Sequence, residues 1–213
     1  MNQLFTIGHS NLNIETFISL LQQHGITAVA DVRSHPYSRR FPHFSQPALK
    51  ASLLNAGINY VFLGRELGAR PEDLSCYDIT GKALYERIAA TDLFSTGIQR
   101  LLKGAETYKI ALMCAEKDPI TCHRTILVCR QLRKFDLQIN HILSDSNLET
   151  HQQLETRLLG KFNKTENPNQ PIQLTLFELE PAKPEKIDIE AAYNHQGNEI
   201  AYVKTSPNSN ENE

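Results

Sequence analysis

The sequence predicts an α/β fold, with a Rossmann-like, open and mainly parallel sheet of about five strands and helices on both faces. Short apolar runs of strand length alternate with longer segments of helical period. Gly25 and Gly57 follow two of the helical segments, at a position where glycine commonly ends a helix. The 213 residues, 40% hydrophobic and 22% charged, also have the composition of a globular protein rather than of a coiled coil, a collagen or a fully disordered chain.

The elements follow from apolar periodicity along the chain. Residues 64–81 form a long predicted loop, and loops of this length more often have a function than serve as plain connections. The predicted strands are residues 4–7, 28–32, 60–63, 109–113 and 139–143, and the predicted helices are residues 14–24, 47–55, 83–89, 96–103, 121–135 and 147–159.

The chain divides into a folded unit and a polar tail. Residues 1–162 hold all the predicted strands and helices and are long enough for one hydrophobic core. Residues 163–213 are rich in Asn, Pro, Lys, Glu and Gln and contain few apolar residues. Such a segment buries too little surface to offset its ordering entropy, so we expect a disordered tail.

Charge and hydropathy limit the partners. The net charge of −2 gives no general attraction to nucleic acid, so any basic surface must be local. No apolar run of about 18 residues and no signal-like N-terminus is present, so we expect a cytoplasmic protein without a membrane partner. The cysteines are then expected to be reduced and available for packing, metal binding or catalysis. They are Cys76, Cys114, Cys122 and Cys129.

Three polar segments, TIGHS, DVRSHPYSRR and CAEKDPITCHR, each follow a predicted strand. Ligands of open parallel sheets bind beyond the carboxyl ends of the strands, where such loops converge. We therefore expect the three segments to form one site.

The segment after the second predicted strand is dense in Arg, His and aromatic residues. Arg33, Arg39 and Arg40 suit phosphates, and the neighbouring aromatic residues suit stacked bases. A surface loop with solvated arginines is the alternative. Asp31, at the end of the strand, is a candidate catalytic residue that orients Arg33 or a histidine, or else a cap for the following turn.

The segment after the fourth predicted strand carries the strongest signal. Glu116 is the candidate general acid or base, with His9 and His123 as partners. A helix beginning near Thr121 offers backbone N–H groups to an anion, and Arg124, one turn later, adds positive charge.

Cys114, Cys122 and His123 form an alternative metal site in the same segment. Their spacing is not a recognised zinc pattern, and Cys122 is also a candidate nucleophile near a helix end. The nucleophile role of Cys122 is less favoured, because the segment lacks the loop in which the cysteine of cysteine phosphatases lies. Packing remains open for Cys114 and Cys129.

Two further residues on the same edge are assigned to substrate or phosphate binding. Ser10 follows the first strand and could equally cap the next helix. Arg65 lies in the long loop and could equally form an internal ion pair.

The motifs TIGHSN, DVRSHPYS, YVFLGRELGARP and MCAEKDPITCHR, in this order and followed by INHIL, resemble domain-of-unknown-function family 488 (DUF-488) over residues 3–160. One departure is Ala69, where the family usually carries a second glycine. The resemblance implies an α/β domain with its site at the residues singled out above, and it supplies no reaction or cofactor.

A short run in the tail, Q-L-T-L-F, is similar to the peptide by which bacterial DNA polymerases and repair proteins dock on the sliding clamp. Leu174, Leu176 and Phe177 would enter a hydrophobic groove, and Gln173 would form a hydrogen bond beside it. The alternative is a strand or helix that packs on the domain.

These observations predict a hydrolase-like enzyme that processes nucleotides or nucleic acids in DNA repair or replication and cleaves a phosphate ester or glycosidic bond. A non-catalytic adaptor that binds a nucleotide or DNA and docks on the sliding clamp is one alternative. A Cys/His metal or redox protein is the other.

Overall fold

The computed structural model describes residues 2–163 and 187–204. Within these residues a six-stranded sheet has the order β3-β2-β4-β1-β5-β6. All neighbouring strands are parallel except β6, which runs antiparallel to β5. The predicted α/β class and mainly parallel sheet are confirmed, with one strand more than expected. The strands are β1 (Asn2–Gly8), β2 (Ala28–Asp31), β3 (Asn59–Phe62), β4 (Ile110–Cys114), β5 (Leu137–Ile142) and β6 (Leu148–Thr150).

Helices surround the sheet. The side chain of Asn13 caps the first helix by accepting a hydrogen bond from the backbone N–H of Thr16. Gly25 (φ +64°) and Gly57 (φ +75°) adopt left-handed conformations just after the first two helices, as expected for glycine stops. The helices are α1 (Ile14–Gln23), α2 (Gln46–Asn55), α3 (Gly64–Leu67), α4 (Tyr85–Ala89), α5 (Asp92–Ala105), α6 (Arg130–Leu132), α7 (His151–Asn163) and α8 (Ile189–Ile200).

Apolar residues on both faces of the sheet bury it. Strand β4 is buried throughout, and alternate side chains join opposite sides of the core. Leu112 belongs to the core beneath α5, α7 and α8, whereas Met113 belongs to the core beneath α1 and α2. Packing on both faces holds the carboxyl ends of the strands in place, and the polar segments begin at these ends.

Two predicted helices differ from the observed structure. Residues 148–150 extend the sheet along the free edge of β5 as β6, and the helix expected from residue 147 begins only at His151. The helix expected over residues 121–135 is a 3-10 turn, Pro119–Thr121, followed by a π-helix, Arg124–Cys129, and then α6. Wide π turns of this kind occur frequently at functional sites.

The expectation of disorder is wrong for residues 187–204, because α8 packs on the folded unit. Asp188 caps α8, and Ala192, Tyr193 and Gln196 are buried against the rest of the protein. These buried side chains recur along one face of a helix within an otherwise polar stretch. The clamp-like residues Gln173, Leu174, Leu176 and Phe177 lie outside the described residues. In the described part of the chain, no helix has the length and apolar character required to cross a membrane.

Candidate metal centre

A cavity of about 350 Å³ lies at the carboxyl ends of β1, β2 and β4. The three polar segments contribute to its walls, as expected for loops that converge on one edge of a parallel sheet. The residues that line it are His9, Arg33, Ser34, His35, Tyr37, Ser38, Ala69, Arg70, Tyr85, Cys114, Ala115, Glu116, Thr121, His123, Ile200 and Tyr202.

Four potential metal ligands meet at the floor of the cavity, and we call them the donor cluster: Cys114, Glu116, Cys122 and His123. One donor atom from each residue lies within 4.8 Å of the other three. The Oε2 atom of Glu116 is 3.0 Å from the Sγ atoms of both Cys114 and Cys122. The Sγ atom of Cys114 is 3.6 Å from Nδ1 of His123. The cluster therefore combines two thiols, an imidazole and a carboxylate.

Local structure explains how residues eight positions apart in sequence meet. Cys114 is the last residue of β4, and the chain then turns through Pro119–Thr121 to bring Cys122 back beside the strand end. Cys114 and Cys122 are almost fully buried, whereas Glu116 is exposed along part of its length and lines the cavity. The open side of the cluster is thus the side of Glu116.

A hydrogen bond to the sheet fixes the orientation of His123. Its Nε2 atom donates to the carbonyl oxygen of Val32 at 2.9 Å, which turns Nδ1 toward the two thiols. Backbone contacts of this type orient metal-binding histidines in many proteins.

The thiols of the cluster differ in acidity. Burial opposes ionisation of Cys122, but the hydrogen bond from Cys114 and the charge of Arg124 outweigh it, so its pKa lies well below the usual range. Burial and the hydrogen bond to Cys122 raise the pKa of Cys114. Burial lowers the pKa of His123, but contact with Cys122 more than offsets this and raises it. Burial of its carboxylate, followed by the charge of Cys122, raises the pKa of Glu116. The lowered pKa favours the thiolate form of Cys122 over that of Cys114.

Arg124 is fully buried beneath the cluster and does not face the cavity. Its Nη1 atom donates to the carbonyl oxygen of Glu116 at 2.7 Å, and Nη2 donates to that of Lys117 at 3.3 Å. This arginine therefore fixes the backbone of the loop that carries Glu116.

Arg33 is paired inside the protein. Its Nε and Nη2 atoms donate to the two carboxylate oxygens of Asp31 at 2.9 and 2.7 Å, and Nη2 also donates to the carbonyl oxygen of Phe44. Its Nη1 atom lies 3.3 Å from Nε2 of His9. Burial, followed by the charge of Arg33, lowers the pKa of His9 to about 4, so His9 is neutral near pH 7. Asp31 thus orients Arg33 rather than a histidine.

The structure brings together some of the predicted site residues and separates others. Glu116, His9, His123 and Arg33 line the cavity, and Thr121 does so with its hydroxyl donating to the carbonyl oxygen of Asp118. Asp118 caps the turn expected to bind an anion, so a carboxylate already occupies that position. The predicted residues that do not line the cavity are Ser10, Asp31, Arg39, Arg40, Arg65, Cys122 and Arg124.

Sequence reasoning missed one wall of the cavity. Ile200 is the last residue of α8 and Tyr202 follows it, and the ring of Tyr202 packs 4.3 Å from the guanidinium of Arg70. Backbone hydrogen bonds from Ala83 and Lys204 hold this segment against residues 81–83. The apolar run around Tyr193 was the available signal, but the polar composition of the tail obscured it. Tyr85, from α4, was also missed.

The sequence model of one family, the domain of unknown function DUF488, matches residues 13–130, which is more than half of the chain. The chain belongs to the DUF488 family. No match was found among curated proteins or among solved structures. The DUF488 match contains the whole donor cluster, whereas α7, α8 and the wall formed by Ile200 and Tyr202 lie beyond it.

Proposed function

We propose that this protein is a metal-dependent hydrolase that binds zinc or a similar divalent ion through Cys114, Cys122 and His123. The proposal rests on the donor cluster, whose donor atoms all lie within 4.8 Å of one another. Zinc binds sulfur at about 2.3 Å and nitrogen at about 2.0–2.1 Å, so tetrahedral geometry separates a sulfur and a nitrogen ligand by roughly 3.5 Å. The 3.6 Å between Cys114 Sγ and His123 Nδ1 fits this spacing.

Cys114, Cys122 and His123 would hold the ion as three protein ligands and would leave a fourth position for water or substrate, as in catalytic rather than structural zinc sites. When bound, a zinc ion lowers the pKa of a water ligand to about 7. Glu116 lines the cavity beside the two thiols and would be suited to accept a proton from water in the cavity. Of the acid and base roles expected for Glu116, the base role fits this site, and Cys114, Cys122 and His123 would supply the ligands.

A nucleotide or nucleic acid is the proposed substrate class. Aromatic side chains, His35, Tyr37 and Tyr202, lie at the mouth of the cavity and suit the face of a base. Arg70 lies beside them, and among the described residues no group accepts a hydrogen bond from its guanidinium. This cation is better placed for a phosphate than Arg33, which is paired with Asp31.

Metal content tests the proposal. We expect about one zinc per chain in the purified protein and loss of that zinc in Cys122→Ser. Cys76→Ala is the matched control, because Cys76 is buried outside the cavity and should leave zinc unchanged. Glu116→Gln should keep the zinc and lose hydrolysis. Absence of metal from the unaltered protein after incubation with zinc would remove the proposal.

Hydrolysis is tested with nucleoside monophosphates, nucleosides and short single-stranded DNA, with and without a chelator. Turnover that needs zinc and disappears in Glu116→Gln supports the substrate class. Zinc binding without turnover of any of these would leave the metal centre standing and remove nucleotides as its substrate.

A link to DNA repair or replication rests only on Gln173, Leu174, Leu176 and Phe177. We propose that this peptide docks on a bacterial sliding clamp. The test is binding of the full chain to a purified clamp, compared with a Leu176→Ala, Phe177→Ala double variant. Equal binding by the two proteins, or no binding by either, would remove the clamp as a partner.

A further inference from the structure

We infer that Tyr193 is a positioning residue for the metal centre and acts through a continuous chain of buried hydrogen bonds that ends at Arg124. The inference rests on the proposed function, because its consequence is measured at the zinc site. Tyr193 belongs to α8, outside the segment that matches the DUF488 family, and does not line the cavity. The chain contains Glu155, Tyr193, His151, His141, Thr6 and Arg124.

From Tyr193 to Thr6 the links of this chain are short and buried, and the link to Glu155 is partly buried. The hydroxyl of Tyr193 is 3.0 Å from Oε1 of Glu155 and 3.0 Å from Nε2 of His151. Nδ1 of His151 is 3.1 Å from Nε2 of His141, whose Nδ1 is 2.8 Å from Oγ1 of Thr6. Buried polar groups so connected restrict one another, because each broken link leaves a partner unsatisfied.

The far end of the chain reaches the donor cluster. Nε of Arg124 is 3.4 Å from Oγ1 of Thr6, and the same guanidinium donates to the carbonyl oxygens of Glu116 and Lys117. Displacing Thr6 or the histidines therefore moves the side chain that fixes the Glu116 loop. The chain is a mechanical and electrostatic link from α8 to the metal ligands.

Every hydrogen bond in the chain has the same donor-to-acceptor direction, from Arg124 toward Glu155. The Glu155 carboxylate can only accept, so the Tyr193 hydroxyl donates to it and the tyrosine oxygen accepts from Nε2–H of His151. Nδ1 of the neutral His151 ring then accepts from Nε2–H of His141. Burial lowers the pKa of His151 to about 4 and that of His141 well below its usual value, so both rings are neutral near pH 7.

The remaining links follow the same direction. Nδ1 of His141 accepts the hydroxyl proton of Thr6, and the Thr6 oxygen accepts from Nε–H of Arg124. The chain thus joins a guanidinium at the metal centre to a carboxylate beside α8. It predicts one tautomer, protonated at Nε2, for both histidines.

Nitrogen NMR of the imidazole rings tests the chain directly. We expect both His141 and His151 in the unaltered protein to carry their proton on Nε2. A proton on Nδ1 of either ring would reverse or break the chain and overturn the inference.

Zinc affinity tests the link to the metal centre. Tyr193→Phe removes one hydroxyl and should weaken zinc binding by about tenfold, at the low end of the effect of groups that orient metal ligands. Tyr77→Phe is the matched control, because its hydroxyl donates to the carbonyl oxygen of Pro71 outside the chain. Equal affinity in the unaltered protein and Tyr193→Phe would overturn the inference while leaving the proposed zinc site intact.

A second variant separates positioning from general destabilisation. Thr6→Val breaks the same chain next to Arg124 with little change of shape. Either change breaks the same connected chain. The double variant should therefore lose scarcely more zinc affinity than whichever single variant shows the larger loss. Additive losses would assign the two effects to independent packing defects and overturn the inference. Absence of zinc binding by the unaltered protein would overturn this inference and the proposed function together.

Discussion

Two arginines that the sequence assigned to phosphate act as internal cations. Arg33 forms a paired hydrogen bond with Asp31, and Arg124 fixes the backbone at Glu116. A guanidinium suits either task because its fork of donors matches a carboxylate, a phosphate or several carbonyl oxygens. Residue type alone therefore did not distinguish a ligand-binding arginine from a structural one. The deciding feature was the buried acceptor set around each side chain.

The Asp31–Arg33 pair allows a test at the level of single residues. Asp31→Asn removes the partner of a buried cation, so we expect the free energy of unfolding to fall by about 3–5 kcal/mol. Denaturant unfolding at pH 7 measures this change. Arg39→Ala, at an exposed position, should stay within about 0.5 kcal/mol of the unaltered protein. A loss in Asp31→Asn no greater than that in Arg39→Ala would show that the pair contributes little.

The ends of β1 and β4 determine the position of the donor cluster. Gly8, the last residue of β1, lies so close to the Glu116 loop that an added Cβ would be 1.8 Å from the carbonyl oxygen of Glu116. The loop can therefore approach the sheet only because this position lacks a side chain. The packing of these two elements defines the floor of the cavity.

Gly8→Ala tests this packing. The displaced loop should weaken zinc binding by about tenfold or more, as a shift of groups that orient metal ligands does. Gly160→Ala provides the same chemical change at a position where, among the described residues, no atom outside its own stretch of helix lies within 4 Å, and it should leave zinc affinity unchanged. Competition with a chromophoric chelator measures both. Unchanged affinity in Gly8→Ala would contradict the close packing.

At the level of elements, the sequence predicted β1 to β5, α1 and α2 well because apolar periodicity and glycine stops are local signals, whereas it assigned β6 to a helix. It also placed Glu116, Cys122 and His123 in one segment after β4. It could not predict that a turn returns Cys122 to Cys114, since a π-helix and a 3-10 turn have no simple periodicity. The cavity wall formed by Ile200 and Tyr202 was missed, because the few apolar residues of α8 lie within a long polar stretch of sequence.

The molecule as a whole contains a buried pair of neutral histidines that makes its stability depend on pH. Burial lowers the pKa of His151 to about 4 and also lowers that of His141. The unfolded chain binds these protons near pH 6.5, so between about pH 6.5 and pH 4 it holds more protons than the folded chain. The contribution of these neutral histidines to the free energy of unfolding is therefore present above about pH 6.5 and is lost as the pH falls toward 4.

We expect the free energy of unfolding to fall by roughly 2 kcal/mol between pH 7 and pH 5 from His151 alone, with further losses from His141 and His9, whose pKa values burial also lowers. Urea unfolding at the two pH values measures this, with a chelator present because metal affinity also depends on pH. Equal free energies at pH 7 and pH 5 would contradict the assignment of neutral, buried rings.

The proposed metal centre places an ion at the cavity floor on two cysteines and one histidine. X-ray absorption at the zinc edge of the zinc-loaded full chain tests it most directly. We expect a shell of two sulfur atoms at about 2.3 Å with nitrogen or oxygen at about 2.0–2.1 Å, reduced to one sulfur or lost in Cys122→Ser. A shell of nitrogen and oxygen alone, or a spectrum unchanged by Cys122→Ser, would contradict it.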